Sequence, residues 1–200
     1  MPSFTEQEYL EIDRAAEVRN EYLDGQIFEM SAISAAHSKL TWNLTGILGT
    51  QLRGKQCEGF GGNLRIKVPR GNFYTYPDIS VACGPQFAGD KGDDTLVNPE
   101  LLIEVLSQST RDYDRGEKLR RYRTIPSFVE YLLVDQYAVG VEHWTKQPDG
   151  SWLVRETLGL DAEVVLESIG CRVRLADVYE GVELVASSSV ASAERQSRPQ

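Results

Sequence analysis

The stretch Leu101-Leu102-Ile103-Glu104-Val105-Leu106 sets one carboxylate in the middle of an otherwise apolar run. Such a run predicts a strand, and an ionised carboxylate buried there without a partner is strongly unfavourable. Glu104 therefore meets a cation, exchanges a proton with its surroundings, or points into a wet cleft. The alternative is an edge strand whose Glu104 faces solvent. The segment alone leaves the two open, so the decision passes to its neighbours.

The 200 residues, with 41% hydrophobic and 26% charged content, predict one globular domain over 1–186 with a core that needs no staples. No apolar stretch is long enough to span a bilayer, and the first residues have neither the basic flank nor the apolar core of a secretory signal. The expectation is a cytoplasmic protein that does not enter membranes. Cys57, Cys83 and Cys171 are odd in number, far apart and without a Cys-x-x-Cys pair, so neither a disulfide framework nor a structural zinc site is expected. All three are read as small core residues. The net charge of −9 argues against a diffuse basic surface for nucleic acid. A local island remains: Arg111, Arg115, Lys118, Arg120, Arg121 and Arg123 outnumber Asp112, Asp114 and Glu117 beside Glu104.

Along the chain, Thr5 with Glu8 three residues on predicts a capped helix over 3–14. Asp24-Gly25 between 20–23 and 26–30 predicts a hairpin. Leu40, Leu44, Ile47, Leu48 and Leu52 predict a long helix over 34–53, ended by Gly54. From residue 56 the period changes to two, with strands expected at 63–68, 75–83, 101–106, 129–135 and 139–145 and a surface loop at 85–98. A helix over 113–123 between the Glu104 and Glu130 strands suggests a crossover unit. Weaker strands are expected at 152–158, 164–166 and 171–173, then a helical turn at 175–179. The tail from Ser187 reads as disordered. The segment 139–144 is read as an interface strand or as core.

A second acid stands at the mouth of a strand in Tyr76-Pro77-Asp78-Ile79-Ser80-Val81. Asp78, Ser80 and Ala82 share one face, and Glu104 shares its face with Leu102 and Leu106. If the two strands are neighbours, about 4.8 Å apart, the carboxylates converge and call for something positive between them. A hard divalent cation such as Mg2+ suits oxygen donors with no cysteine nearby. Lys118, on the following helix, falls in an apolar arc with Leu119, Tyr122 and Ile125. There it either snorkels along its stem or delivers its ammonium to a negative site.

Taken together, Pro77-Asp78, then Glu104-Val105-Leu106-Ser107-Gln108-Ser109-Thr110, then Asp114-Arg115-Gly116-Glu117-Lys118 with Tyr122, then Glu130-Tyr131-Leu132-Leu133-Val134-Asp135 form an ordered series. It resembles the Uma-two family of endonucleases, within the PD-(D/E)xK restriction-endonuclease-like superfamily, and the resemblance runs over 21–185. It implies an α/β fold with a mixed central sheet flanked by helices, an N-terminal helix and hairpin, and extra C-terminal strands. Asp78, Glu104 and Lys118 match the catalytic positions. In the wider superfamily a lysine stands two residues after the glutamate, where this chain has Leu106, so Lys118 on the next helix takes that place. The resemblance also draws in Glu21 as a further metal ligand and His37 as a further site residue. Read alone, Glu21 is a solvated hairpin residue and His37 a helix-end residue. His143 has the spacing of an exposed strand face and is read as structural.

The function expected from these residues is Mg2+-dependent hydrolysis of phosphodiester bonds in nucleic acid, with DNA as the expected substrate and Mn2+ as an alternative ion. Asp78, Glu104 and Glu21 hold the metal, Lys118 orients or deprotonates the attacking water, and Arg111, Arg115, Arg120 and Arg121 touch backbone phosphates. The resemblance implies a homodimer. The rivals are a catalytically silent nuclease-fold module for nucleic-acid binding or assembly, and a glycosidase working with two carboxylates across a groove.

Overall fold

The computed structural model describes residues 3–69, 72–88 and 94–184. Its N-terminal helix α1 (Glu6–Ala15) starts at Thr5, whose hydroxyl accepts from the Glu8 amide at 3.2 Å while the Glu8 carboxylate accepts from the Thr5 amide at 2.7 Å. This is the expected capping box. The hairpin β1 (Asn20–Leu23) and β2 (Gln26–Glu29) turns at Asp24 (φ 48°) and Gly25 (φ 88°). Two consecutive positive φ values match the right-handed strand twist, which is why Asp-Gly stands there. Helix α2 (Ala35–Gln51) is capped by Ser34 and buries Leu40, Leu44 and Leu48.

The remaining elements are β3 (Cys57–Gly61), β4 (Arg65–Val68), β5 (Phe73–Thr75), β6 (Ile79–Cys83), β7 (Phe87–Ala88), β8 (Thr95–Leu96) and β9 (Leu101–Leu106), followed by the crossover. That crossover is helical throughout: α3 (Arg111–Tyr113), a π-helical stretch (Asp114–Lys118) and α4 (Leu119–Tyr122). Then come β10 (Glu130–Asp135), β11 (Gly140–Lys146), β12 (Trp152–Leu158), the hairpin β13 (Glu163–Leu166) and β14 (Cys171–Arg174), and α5 (Leu175–Val178). The central sheet has the order β12-β11-β10-β9-β6-β3, and β9 and β10 are parallel within an otherwise antiparallel ladder. It is a mixed sheet, as expected. A second six-stranded sheet, β2-β1-β5-β4-β8-β7, accompanies it.

The alternation along β9 divides the core. Leu101, Ile103 and Val105 pack with α2 and the C-terminal hairpin, while Leu102 and Leu106 pack with Leu119, Tyr122 and the second sheet's Ile66, Val68 and Phe73. Glu104 is on this second face and is buried. The edge-strand alternative fails because β9 is paired on both sides, by β6 and by β10.

Four expectations change. The strand expected over 75–83 is two strands in different sheets, β5 ending at Thr75 and β6 starting at Ile79. Pro77 has no amide hydrogen to continue a ladder, and the chain passes between sheets there. The loop expected at 85–98 contains the short antiparallel pair β7 and β8. Cys57 and Cys83 form a disulfide. They are direct partners in the β3–β6 register, a pairing invisible without the unforeseen strand β3; Cys171 is free and buried, as read. His143 is buried rather than exposed, 2.6 Å from Glu130. The segment 139–144 lies in a strand paired on both edges, with Val141 in the core. The tail from Ser187 lies outside the described residues.

Candidate active site

Continuing the antiparallel register Ile79↔Ile103 by one residue brings Asp78 opposite Glu104. The convergence expected from the sequence is therefore built by the strand pairing itself. Asp78 Oδ2 accepts from the Val105 amide at 2.7 Å, and Asp78 Oδ1 lies 2.7 Å from His37 Nε2. His37 comes from the first turn of α2, so the long helix aims an imidazole at the acid at the mouth of β6.

Lys118 is delivered by the crossover. Its ammonium lies 2.9 Å from Glu104 Oε1, 3.3 Å from Glu21 Oε1 and 3.5 Å from Asp114 Oδ1. The choice between snorkelling and reaching a negative site is decided for the second. Glu21, on β1 of the second sheet, also accepts from the Thr75 hydroxyl. Sequence reasoning had not assigned roles to Asp114 and Tyr122. Tyr122 donates its hydroxyl to Glu104 Oε1 at 2.8 Å. Both stand four residues from Lys118, one on each side, and that spacing on the inward face was the available signal. The π-helical stretch begins at Asp114 and ends at Lys118, and such interruptions of α-helix recur at functional sites.

Burial dominates the electrostatics. It pushes the Glu104 carboxyl up to about 8, against the opposing pull of Lys118 and with help from Asp114 and Asp78. Burial alone would lower Lys118, but Glu104, Glu21 and Asp114 hold its ammonium well above the usual range. Glu21, Glu104 and Asp114 thus share one lysine, and Asp78 stands beside them against His37. They line a cleft of about 760 Å³ together with His37 and Lys118.

That donor set decides whether a divalent cation fits. Among the described residues, no three His, Cys, Asp or Glu side chains already stand around one point as a metal cage. Lys118 is the cation within reach of three of the four acids. The set nevertheless consists of hard carboxylate oxygens in excess of positive charge, facing a cleft with room for water, which is the chemistry Mg2+ or Mn2+ takes. The residues fit such an ion.

The basic residues do not reach the cleft floor. Arg115 pairs with Glu142 at 2.6 Å, Arg120 with Glu117 at 2.7 Å, and Arg121 with Glu117 at 2.7 Å and Asp24 at 2.8 Å. Arg111 lies 3.8 Å from Asp135 and 5.7 Å from the Tyr137 ring centroid. The glycosidase alternative required Lys118 to be remote from the carboxylates, and it is not.

A mixed sheet with one acid at the mouth of β6, another on the adjacent β9 and a lysine returned by the next crossover makes this an α/β protein with an acid-rich cleft at the sheet. The Uma2 family model, described as "Putative restriction endonuclease", matches residues 6–176. The chain belongs to that family. Two proteins of Synechocystis sp. are similar over most of their length: sll1609 is 38% identical over 161 residues, covering 80% of this chain and 90% of that protein. The second, slr1290, is 35% identical over 181 residues, covering 90% and 94%. A crystal structure from Anabaena variabilis, described as "a putative nuclease belonging to DUF820", shares the fold with a TM-score of 0.72 at 18% identity, covering 88% of this chain and 98% of that one. No helix among the described residues is long and apolar enough to cross a membrane.

Proposed function

We propose that this chain is a divalent-metal-dependent endonuclease that hydrolyses phosphodiester bonds of nucleic acid, with DNA as the substrate. One observation carries the reading: Asp78, Glu104 and Lys118 meet in one cleft where carboxylates outnumber cations. Asp78 and Glu104, joined by Glu21, would hold Mg2+ or Mn2+. Such an ion supplies Lewis acidity toward the scissile phosphate and makes water a better nucleophile at neutral pH.

The chain's own residues do the rest. His37 and the Val105 amide fix the orientation of Asp78, and Tyr122 fixes Glu104. Lys118, held protonated by its acidic neighbours, acts as a donor that orients the attacking water and stabilises negative charge on the phosphate. This favours orientation over deprotonation by Lys118. Asp114 positions that ammonium from one turn away. Arg111, Arg115, Arg120 and Arg121 touch flanking phosphates, and a homodimer presents two such sites; light scattering of the purified protein tests the assembly.

The test is cleavage of a fluorescent DNA oligonucleotide mixture with Mg2+, with Mn2+ and with EDTA. Cleavage in either metal, loss in EDTA, and a fall on the order of 10³-fold in Asp78→Asn are expected. Absence of cleavage in both metals, together with no metal binding by calorimetry, would leave the silent nuclease-fold module as the reading.

A further inference from the structure

The lining of the cleft is chemically mixed. β2 and the segment leading to α2 contribute Phe28, Met30 and Ile33, with Phe28 and Ile33 46% and 58% exposed. Gln108, Ser109 and Tyr137 add amide and hydroxyl groups to the lining. Phe28 is the direct partner of Glu21 in the β1–β2 register, so its ring stands on the face of the acid, with Cβ atoms about 5 Å apart. Large apolar side chains left open beside a charged floor mark a place where something apolar docks.

Charge and size limit the occupant. Six acids line the cleft, Glu21, Glu29, Asp78, Glu104, Asp114 and Glu183, against Lys39 and Lys118 as the lining Lys and Arg side chains. A duplex carries a charge every ~1.7 Å of its axis and is gripped mainly through cations on both backbones. This floor repels two backbones. A volume of about 760 Å³ falls in the range of about 300–1,000 Å³ typical of sites that enclose a small molecule. That suits a single nucleotide unit and not two paired strands. With so few cations in the cleft itself, stacking of a base on an aromatic ring supplies much of the binding there.

We infer that the cleft takes an unpaired nucleotide, its base stacked on Phe28 and its polar edge toward Gln108 and Ser109, so that the adjoining phosphodiester lies over Glu104 and Lys118. The substrate class is then single-stranded nucleic acid and not an intact duplex. This deepens the endonuclease reading and rests on it.

The experiment compares one DNA sequence as a single strand and as a blunt duplex, each carrying 2-aminopurine, with the full-length protein in Mn2+. Preferential cleavage of the single strand is expected. In Phe28→Ala, KM for the single strand should rise about tenfold with kcat little changed, and Phe28→Trp should restore it, because stacking and not mere bulk is required. Equal cleavage of the blunt duplex, or a Phe28→Ala protein with unaltered KM, overturns the inference and leaves the nuclease reading standing. If neither DNA is cleaved in Mn2+ or in Mg2+ and calorimetry shows no metal binding, the nuclease reading falls and binding decides the ligand. Quenching of 2-aminopurine in the single strand that is lost in Phe28→Ala supports the inference; equal binding of both forms overturns it.

Discussion

Glu104 and Glu130 send the same message from the sequence, an acid within an apolar strand, and they sit on adjoining parallel strands. Their surroundings differ. Glu130 accepts from the Glu167 and Ser168 amides at 3.2 Å each and from the Ser168 hydroxyl, and lies 2.6 Å from His143. Both of its oxygens are occupied, and it does not line the cleft. Among the described residues, Glu104 is bonded at Oε1 alone, from Lys118 and Tyr122, and it borders the cleft in a cluster short of positive charge. A buried acid with a full set of donors holds structure together, whereas one in a group with surplus negative charge next to open space is equipped to bind a cation.

Substituting each acid by its amide breaks this comparison most directly. Glu104→Gln should reduce cleavage on the order of 10³-fold while leaving the fold intact, since it removes a buried carboxyl that burial disfavours as an anion. Glu130→Gln should keep kcat within a few-fold and lose about 1–3 kcal/mol in urea unfolding, because one of its two acceptor oxygens is replaced by an amide donor facing donors. Equal loss of activity in both would dissolve the distinction.

A medium-sized effect lies in pH. The folded value of Glu104, about 8, is above its ordinary 4.5, so between these values the native state holds a proton that the unfolded chain has lost. Stability without metal should therefore decline as pH rises from about 5 to about 8. Metal binding should release a proton below pH 8 and tighten as pH rises toward it, as read by calorimetry in two buffers of different ionisation heat. Glu104→Gln should flatten both trends; slopes unchanged in that variant would assign them to another group.

The smallest effect concerns the arginines on the crossover. Glu117 binds both Arg120 and Arg121, and those pairings hold its carboxyl down to about 2. If these guanidinium groups meet phosphates, Glu117→Gln should strengthen DNA binding and steepen its salt dependence by about one charge. A slope identical to that of the unaltered protein would remove these arginines from the interface.

Much of the site was legible because strand and helix periods place side chains on faces. The faces of Asp78 and of Glu104, and of Lys118 with Tyr122, follow from periods of two and 3.6, and the β9–β10 crossover from the intervening helix. The meeting of Asp78 with Glu104 was conditional on their strands being neighbours, and Glu21 and His37 came only with the family resemblance. What escaped depended on pairing across distance. Strand β3, with two glycines in Cys57-Glu58-Gly59-Phe60-Gly61, lacks apolar alternation, and with it went the Cys57–Cys83 link. The change of sheet at Tyr76-Pro77-Asp78 was hidden inside a continuous β-like pattern. The neutralisation of Arg115 by Glu142 depends on a contact 27 residues apart, which a local count of charges cannot contain.

The passage of the chain from one sheet to the other at Pro77 also bears on when the protein can act. Glu21 belongs to one sheet, Asp78 and Glu104 are aligned by the other, and Lys118 arrives only with the helical return toward β10. During synthesis, which exposes the N-terminal part first, a nascent chain that ends just before residue 118 carries all four acids and lacks the lysine beside them. Even then β9 still awaits its parallel neighbour β10, a pairing that must close a long loop. If the proposed function holds, hydrolytic competence would be reserved for the finished molecule, and an incomplete chain still on the ribosome would lack the assembled cleft.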